Sequence, residues 1–159
     1  MIKISDLVTP ERVVRLDVKT KEEALSKMVD VISTAPEVRD RDELYRAIIE
    51  RERIMSTGIG LGIAVPHAKI GSVSDFVIAI GICPEGIDFD SLDGRPVKII
   101  VMIAGPEGRQ KLYLRILARI TLFLRNRRNR DAMLKTEDPT EVIELLRAAS
   151  VPMVVESEE

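Results

Sequence analysis

The chain has 159 residues, 45% of them apolar and 31% charged, with a net charge of −2. That is the size and balance of one folded domain with a substantial core, rather than of a disordered or membrane-spanning chain. A single histidine and a single cysteine, Cys83, exclude an internal disulfide and a zinc site of the usual His/Cys kind, and the near-neutral charge advertises neither a nucleic-acid nor a membrane partner.

The chain starts Met1-Ile2-Lys3-Ile4-Ser5-Asp6, without the apolar stretch of a signal peptide, and no run approaches the ~18 apolar residues of a membrane span. A cytoplasmic protein is expected. Thr20 with Glu23 reads as a capping box, and Leu25, Met28, Val29 and Ile32 follow at helical spacing, with Pro36 marking the end. A second helix is expected from Asp40, with Glu43 at its third position and Leu44, Ala47 and Ile48 on its apolar face. Arg51 lies seven residues after Leu44, so it is expected on that same inward stripe, where a guanidinium needs a partner.

Strands dominate the middle. Ile63-Ala64-Val65 is a short apolar run closed by Pro66, and residues 76–83 (FVIAIGIC) and 97–104 (VKIIVMIA) are near-continuous apolar runs. Such runs suit strands covered on both faces. Asp93-Gly94 between them is turn chemistry, in a connection too long for a tight hairpin. Tyr113, Ile116, Leu117, Ile120 and Leu124 then make one helical stripe after the turn Gly105-Pro106-Glu107-Gly108. Residues 125–130 (RNRRNR) read as a solvated helix end whose charges complement the dipole, in preference to a nucleic-acid arm. A last helix fits Asp138 as N-cap with Pro139 at its first position and Glu141 at its third. The acidic end, residues 156–159, is expected to fray. Helices before and after a central set of strands imply a three-layer α/β domain over residues 1–159, with its core at about 4–150.

Chemistry concentrates in one stretch. Gly58, Gly60 and Gly62 alternate with Ile59 and Leu61 just before the run that delivers His67. Glycine permits close backbone approach, so amides there are candidate anion donors. Pro66 fixes φ immediately before His67 and holds Val65 extended. A lone histidine is more often structural than reactive, and this rigid placement is what singles it out. The dinucleotide-binding reading of the glycines fails, because Ile63 stands at the sixth position and a strand follows instead of a helix. There is no Walker A motif, and no nucleophile elbow makes a nucleophile–base pair of Ser56 or Thr57 with His67. Cys83 reads as a small buried hydrophobe.

Residues 51–68 (RERIMSTGIGLGIAVPHA) resemble the active-site signature of the fructose/mannitol-type (type 2) enzyme IIA domains of the bacterial phosphotransferase system, and the wording Ser56-Thr57-Gly58-Ile59-Gly60 leans toward their stand-alone, nitrogen-regulatory branch. The resemblance continues through Gly86-Ile87-Asp88-Phe89 and Leu92-Asp93-Gly94-Arg95-Pro96-Val97 to the helix with Leu114 and Leu117. It implies a three-layer α/β/α domain with a mixed central sheet, and a phosphotransferase component that accepts a phosphoryl group on His67 from an HPr-like phosphocarrier. Arg51 would then stabilise the phosphate. The other partners implied are an EIIB domain, a transporter or a sensor kinase, and no cofactor, metal or nucleic acid is called for. A 159-residue chain with no attached carrier or transporter segment is expected to act in regulation rather than dedicated sugar uptake. The family's second histidine falls at Tyr113, where a phenol offers one neutral hydrogen bond and no imidazolium charge. The alternative is an interaction module regulating a transporter or kinase, with phosphorylation weak or absent.

Overall fold

The computed structural model describes residues 2–149 together with Pro152 and Met153; the acidic tail, expected to fray, lies outside the described residues. Two long strands form its centre. β5 (Val77–Ile87) and β6 (Val97–Gly105) pair antiparallel, with Ile80 opposite Val101. β1 (Val13–Arg15) joins the outer edge of β5 in parallel. On the other side of β6 lie β3 (Ile63–Ala64), β4 (His67–Lys69) and, beyond β3, the antiparallel β2 (Gly58–Gly60). The sheet is therefore mixed, in the order β1-β5-β6-β3-β2 with β4 also on β6.

Alternation along the two long strands builds two cores. Ile78, Ile80, Ile82, Ile99, Val101 and Ile103 face α3 (Gln110–Arg125), α4 (Arg127–Lys135) and α5 (Pro139–Ala149), packing on Ile116, Ile120, Met133, Val142 and Leu146. The intervening Val77, Ala79, Cys83, Ile100, Met102 and Ala104 face α1 (Lys21–Ile32) and α2 (Arg41–Ile54), against Leu25, Met28, Ile32, Leu44 and Ile48. Both faces are covered, which explains why the runs carry no polar alternation. At Gly81 a Cβ would stand 2.7 Å from the Met28 sulfur and 2.9 Å from a Leu16 methyl carbon, so glycine sets how closely α1 approaches β5.

The helix starts follow the sequence closely. Thr20 accepts a hydrogen bond from the Glu23 N–H, Asp40 from that of Glu43, and Asp138 from that of Thr140. The basic run differs from expectation, because it opens a helix. Asn126 breaks α3 and caps α4 through the Arg128 N–H, and Met133 anchors α4 in the core. Arg130 folds back to donate to the Leu124 and Arg125 carbonyls. It thereby satisfies the C-terminal end of α3, as the dipole argument required. The 76–83 strand also runs on to Ile87, past Pro84, with an irregular register after Ile82.

Candidate functional site

His67 owes its position to an interrupted edge strand. β3 and β4 lie end to end along β6 in one unbroken register, Ala64 opposite Ile100 and His67 opposite Ile103. Between them, Pro66 has no N–H to give, although its carbonyl accepts from Ile103 at 3.0 Å. Proline is tolerated on an edge for this reason. β2 pairs β3 but is not paired with β4, so His67 emerges where the outermost strand has stopped. The side chain of Ala68 enters the α1/α2 core; alternation sends those of His67 and Lys69 to the opposite face.

The imidazole is half-buried, and its Nδ1 lies 2.7 Å from the Val65 carbonyl oxygen. A carbonyl only accepts, so Nδ1 carries the proton and Nε2 keeps its lone pair. Burial, reinforced by the charge of Arg51, pulls the His67 pKa below 6.5; the Val65 hydrogen bond and the charge of Glu52 oppose this more weakly. The ring is thus a neutral nucleophile with a defined tautomer.

Tyr113, in the first turns of α3, meets this ring with centroids 5.8 Å apart at 56°, and it stacks on Phe76 at 6.1 Å. Burial pushes its phenol up to about 12 despite the Arg51 charge, so it stays a neutral O–H. Lys69 brings positive charge to the same spot. Its ammonium lies 4.7 Å from the Tyr113 ring centroid and bonds the Gln110 side-chain carbonyl at the start of α3.

Arg51 acts electrostatically on both His67 and Tyr113, so the three residues singled out from sequence do converge. The expected inward stripe needs correction, however. The buried residues of α2 are Leu44, Ile48 and Glu52, and Arg51 is half-buried at their edge. Steps of four residues advance a helical stripe by about 40° each, which carries the buried arc onto Glu52 and away from Arg51. The guanidinium donates to the carbonyl of Met55, the residue just past the end of α2, at 2.9 Å, and α2 packs against β4.

The glycine run turns the chain. Gly60, Leu61 and Gly62 all have positive φ (98°, 61° and 77°) and reverse the chain between β2 and β3. Leu61 in this left-handed region costs on the order of 1 kcal/mol, and its N–H is held by Asp93 Oδ2 at 3.1 Å. The Gly58 N–H is bonded to Ser56 Oγ. These two amides are thus already bonded within the protein.

Glu52 escaped the sequence reading, as did its pairing with Thr57. Glu52 and Thr57 are buried, at 7% and 3% exposure, and the carboxylate accepts both the Thr57 N–H at 2.7 Å and its hydroxyl at 2.5 Å. The one available signal was the i, i+4, i+8 series of Leu44, Ile48 and Glu52.

Residues 6–149 match the family model described as "Phosphoenolpyruvate-dependent sugar phosphotransferase system, EIIA 2". The chain is 37% identical over 146 residues to the PTS system fructose-specific EIIABC component of Bacillus subtilis, an alignment spanning 91% of this chain and 23% of that protein. It is 32% identical over 126 residues to a nitrogen regulatory protein of Bradyrhizobium diazoefficiens, covering 77% of this chain and 80% of that protein. Among solved structures, nitrogen regulatory protein IIA-Ntr from Neisseria meningitidis superposes with a TM-score of 0.84 at 22% identity, over 90% of this chain and 98% of that one. It shares the three-layer α/β fold.

Proposed function

This chain belongs to the EIIA 2 family of the phosphoenolpyruvate-dependent sugar phosphotransferase system, and from that premise we propose that it carries a phosphoryl group on Nε2 of His67, received from the phosphohistidine of an HPr-like protein. The observation that carries this reading is the 2.7 Å contact from Nδ1 to the Val65 carbonyl, which leaves Nε2 as the only nitrogen with a lone pair. That lone pair attacks phosphorus in line, and a new N–P bond forms as the donor's N–P bond breaks. The breaking bond's electrons return to the donor imidazole, and Nδ1 keeps its proton throughout. The transition state is loose, so the protein's task is to aim the nucleophile and balance oxygen charge. A guanidinium has five N–H donors; the Met55 carbonyl engages one on Arg51, and the proposed role of the others is to meet the phosphoryl oxygens. Ile54 and Met55 beyond Arg51, and Leu114 beside Tyr113, are exposed apolar side chains suited to a protein partner. No helix among the described residues is long and apolar enough to cross a membrane, and a carrier working in the cytoplasm fits this reading.

The test is incubation with phosphoenolpyruvate, enzyme I and HPr, read by intact mass. One acid-labile phosphate is expected, with the rate lowered about a hundredfold in Arg51→Ala by loss of a charged donor. No phosphate from any donor would leave the interaction-module reading, which the neutral Tyr113 phenol favours. The pH dependence has a defined sign. Acceptance needs the neutral ring, whose pKa is held below 6.5. Single-turnover rates should therefore fall on acidification with a midpoint below 6.5; a midpoint above 6.5 contradicts this placement.

The output we assign is regulation rather than dedicated uptake of one sugar, supported by the nitrogen regulatory relative. The fructose-specific relative supports a second reading, delivery to an EIIB domain. Mixing the phosphorylated chain with a fructose-type EIIB domain separates them: the phosphate stays on the chain in the first case and leaves it in the second.

A further inference from the structure

The carbonyl that fixes the His67 tautomer is itself held at a distance. Val65 donates its N–H to the Thr57 carbonyl at 3.0 Å. Thr57 is gripped by both oxygens of Glu52, through its N–H at 2.7 Å and its hydroxyl at 2.5 Å. Lys21, on α1, places its ammonium 3.0 Å from Glu52 Oε2. These contacts form a continuous line: Lys21 to Glu52, to Thr57, to Val65, to Nδ1 of His67.

We infer that Glu52, with Lys21 as its counter-ion, is a positioning residue for phosphoryl acceptance, clamping Thr57 so that Val65, held by its N–H, aims its carbonyl at the His67 ring and keeps the proton on Nδ1. The inference rests on the reading of His67 as acceptor. Its physical basis is the arrangement of the donors. Hydrogen bonds to an ionised carboxylate are short and strong, and here two of them converge on a single residue, fixing both its position and its rotation. Thr57 directly precedes β2 and Val65 directly follows β3, so their bond closes the end of the hairpin nearest His67. Pro66, next along the chain, has no N–H with which to hold the strand should Thr57 shift. A carboxylate needed only to fill space would be replaceable by an apolar side chain, whereas this one is matched donor for donor. It also neighbours Arg51, so one turn of α2 supplies both the cation of the site and the clamp on its nucleophile.

The protein's lone histidine makes the test direct, because nitrogen-15 labelling of histidine gives one ring and no assignment problem. Above pH 7 the wild type should show a protonated Nδ1 and an unprotonated Nε2. In Glu52→Gln, which keeps the shape but loses the charge and one acceptor oxygen, the two nitrogen signals should move toward each other as both tautomers populate. Phosphoryl acceptance should fall about tenfold in kcat, with KM for the phosphocarrier within about twofold. Thr57→Val should shift both readouts in the same direction and serves if Glu52→Gln does not fold, and Thr57→Ser, which keeps the hydroxyl, should restore the single tautomer. Folded Glu52→Gln or Thr57→Val protein with unchanged nitrogen signals and wild-type kcat overturns the relay. A wild type that takes no phosphate overturns the acceptor reading instead, while the nitrogen signals still decide whether Glu52 governs the tautomer.

Discussion

Replacing His67 by alanine is expected to abolish the acid-labile phosphate while leaving the protein folded. The separation follows from what the side chain touches. Its hydrogen bond is to one backbone carbonyl, that of Val65, and it is half-buried at the end of an edge strand, so its loss costs stability only about 1 kcal/mol. The chemistry has no substitute. No other histidine exists in the chain. Cys83, the one thiol, is buried with its pKa pushed up to about 12 by desolvation, which leaves no thiolate to act. The measurement is intact mass before and after mild acid, beside a thermal melt. Phosphate retained in His67→Ala would move the acceptor elsewhere.

The largest effect on stability is expected at Phe89. This side chain is wholly buried in the α1/α2 core, and the Lys21 ammonium lies 4.9 Å from its ring centroid. Its carbonyl also accepts the Ser56 hydroxyl at 2.5 Å and the Lys21 ammonium at 3.4 Å. Those backbone contacts survive in Phe89→Ala, so the change isolates the ring. Truncating a fully buried phenylalanine costs about 3–5 kcal/mol through lost transfer energy and the cavity left behind. Against a total stability of about 5–15 kcal/mol, that is a large share. Denaturant unfolding should show a lowered midpoint with an unchanged slope. A loss below about 1 kcal/mol would mean that Lys21 and the 88–96 connection collapse into the space.

What the sequence revealed, and what it concealed, has physical causes. The 76–83 and 97–104 runs were legible because strands buried on both faces cannot hide polar residues. The starts of α1, α2 and α5 were legible because Thr20, Asp40 and Asp138 each meet a helix's first amides. β1, β2 and β4 were not, since three residues are too few to show a period. The 125–130 run was half-legible. Its charges do complement a helix end, but a new helix beginning at Asn126 depends on Met133 finding the core, a tertiary fact. At the site, His67 and Arg51 were singled out from local sequence and from resemblance, and Tyr113 from resemblance alone. Glu52 was not, because in sequence it is one more charge in Arg51-Glu52-Arg53, and its burial becomes visible only when Lys21 and Thr57 are brought to it from elsewhere in the chain.

The glycine run teaches a related lesson. Three glycines before a candidate phosphoryl acceptor invite an anion cradle, yet the Gly58 amide is already bonded to Ser56 Oγ and the Leu61 amide to Asp93, in the connection before β6. Gly60 and Gly62 help turn the chain so that Thr57 meets Val65, whose carbonyl faces Nδ1 of His67.

The claim that Nε2 of His67 is the acceptor is tested most directly on phosphorylated protein labelled with nitrogen-15 in histidine. Phosphorus should couple to Nε2, with Nδ1 still bearing its proton. Coupling to Nδ1, or a phosphorylated protein in which neither ring nitrogen couples to phosphorus, would contradict it.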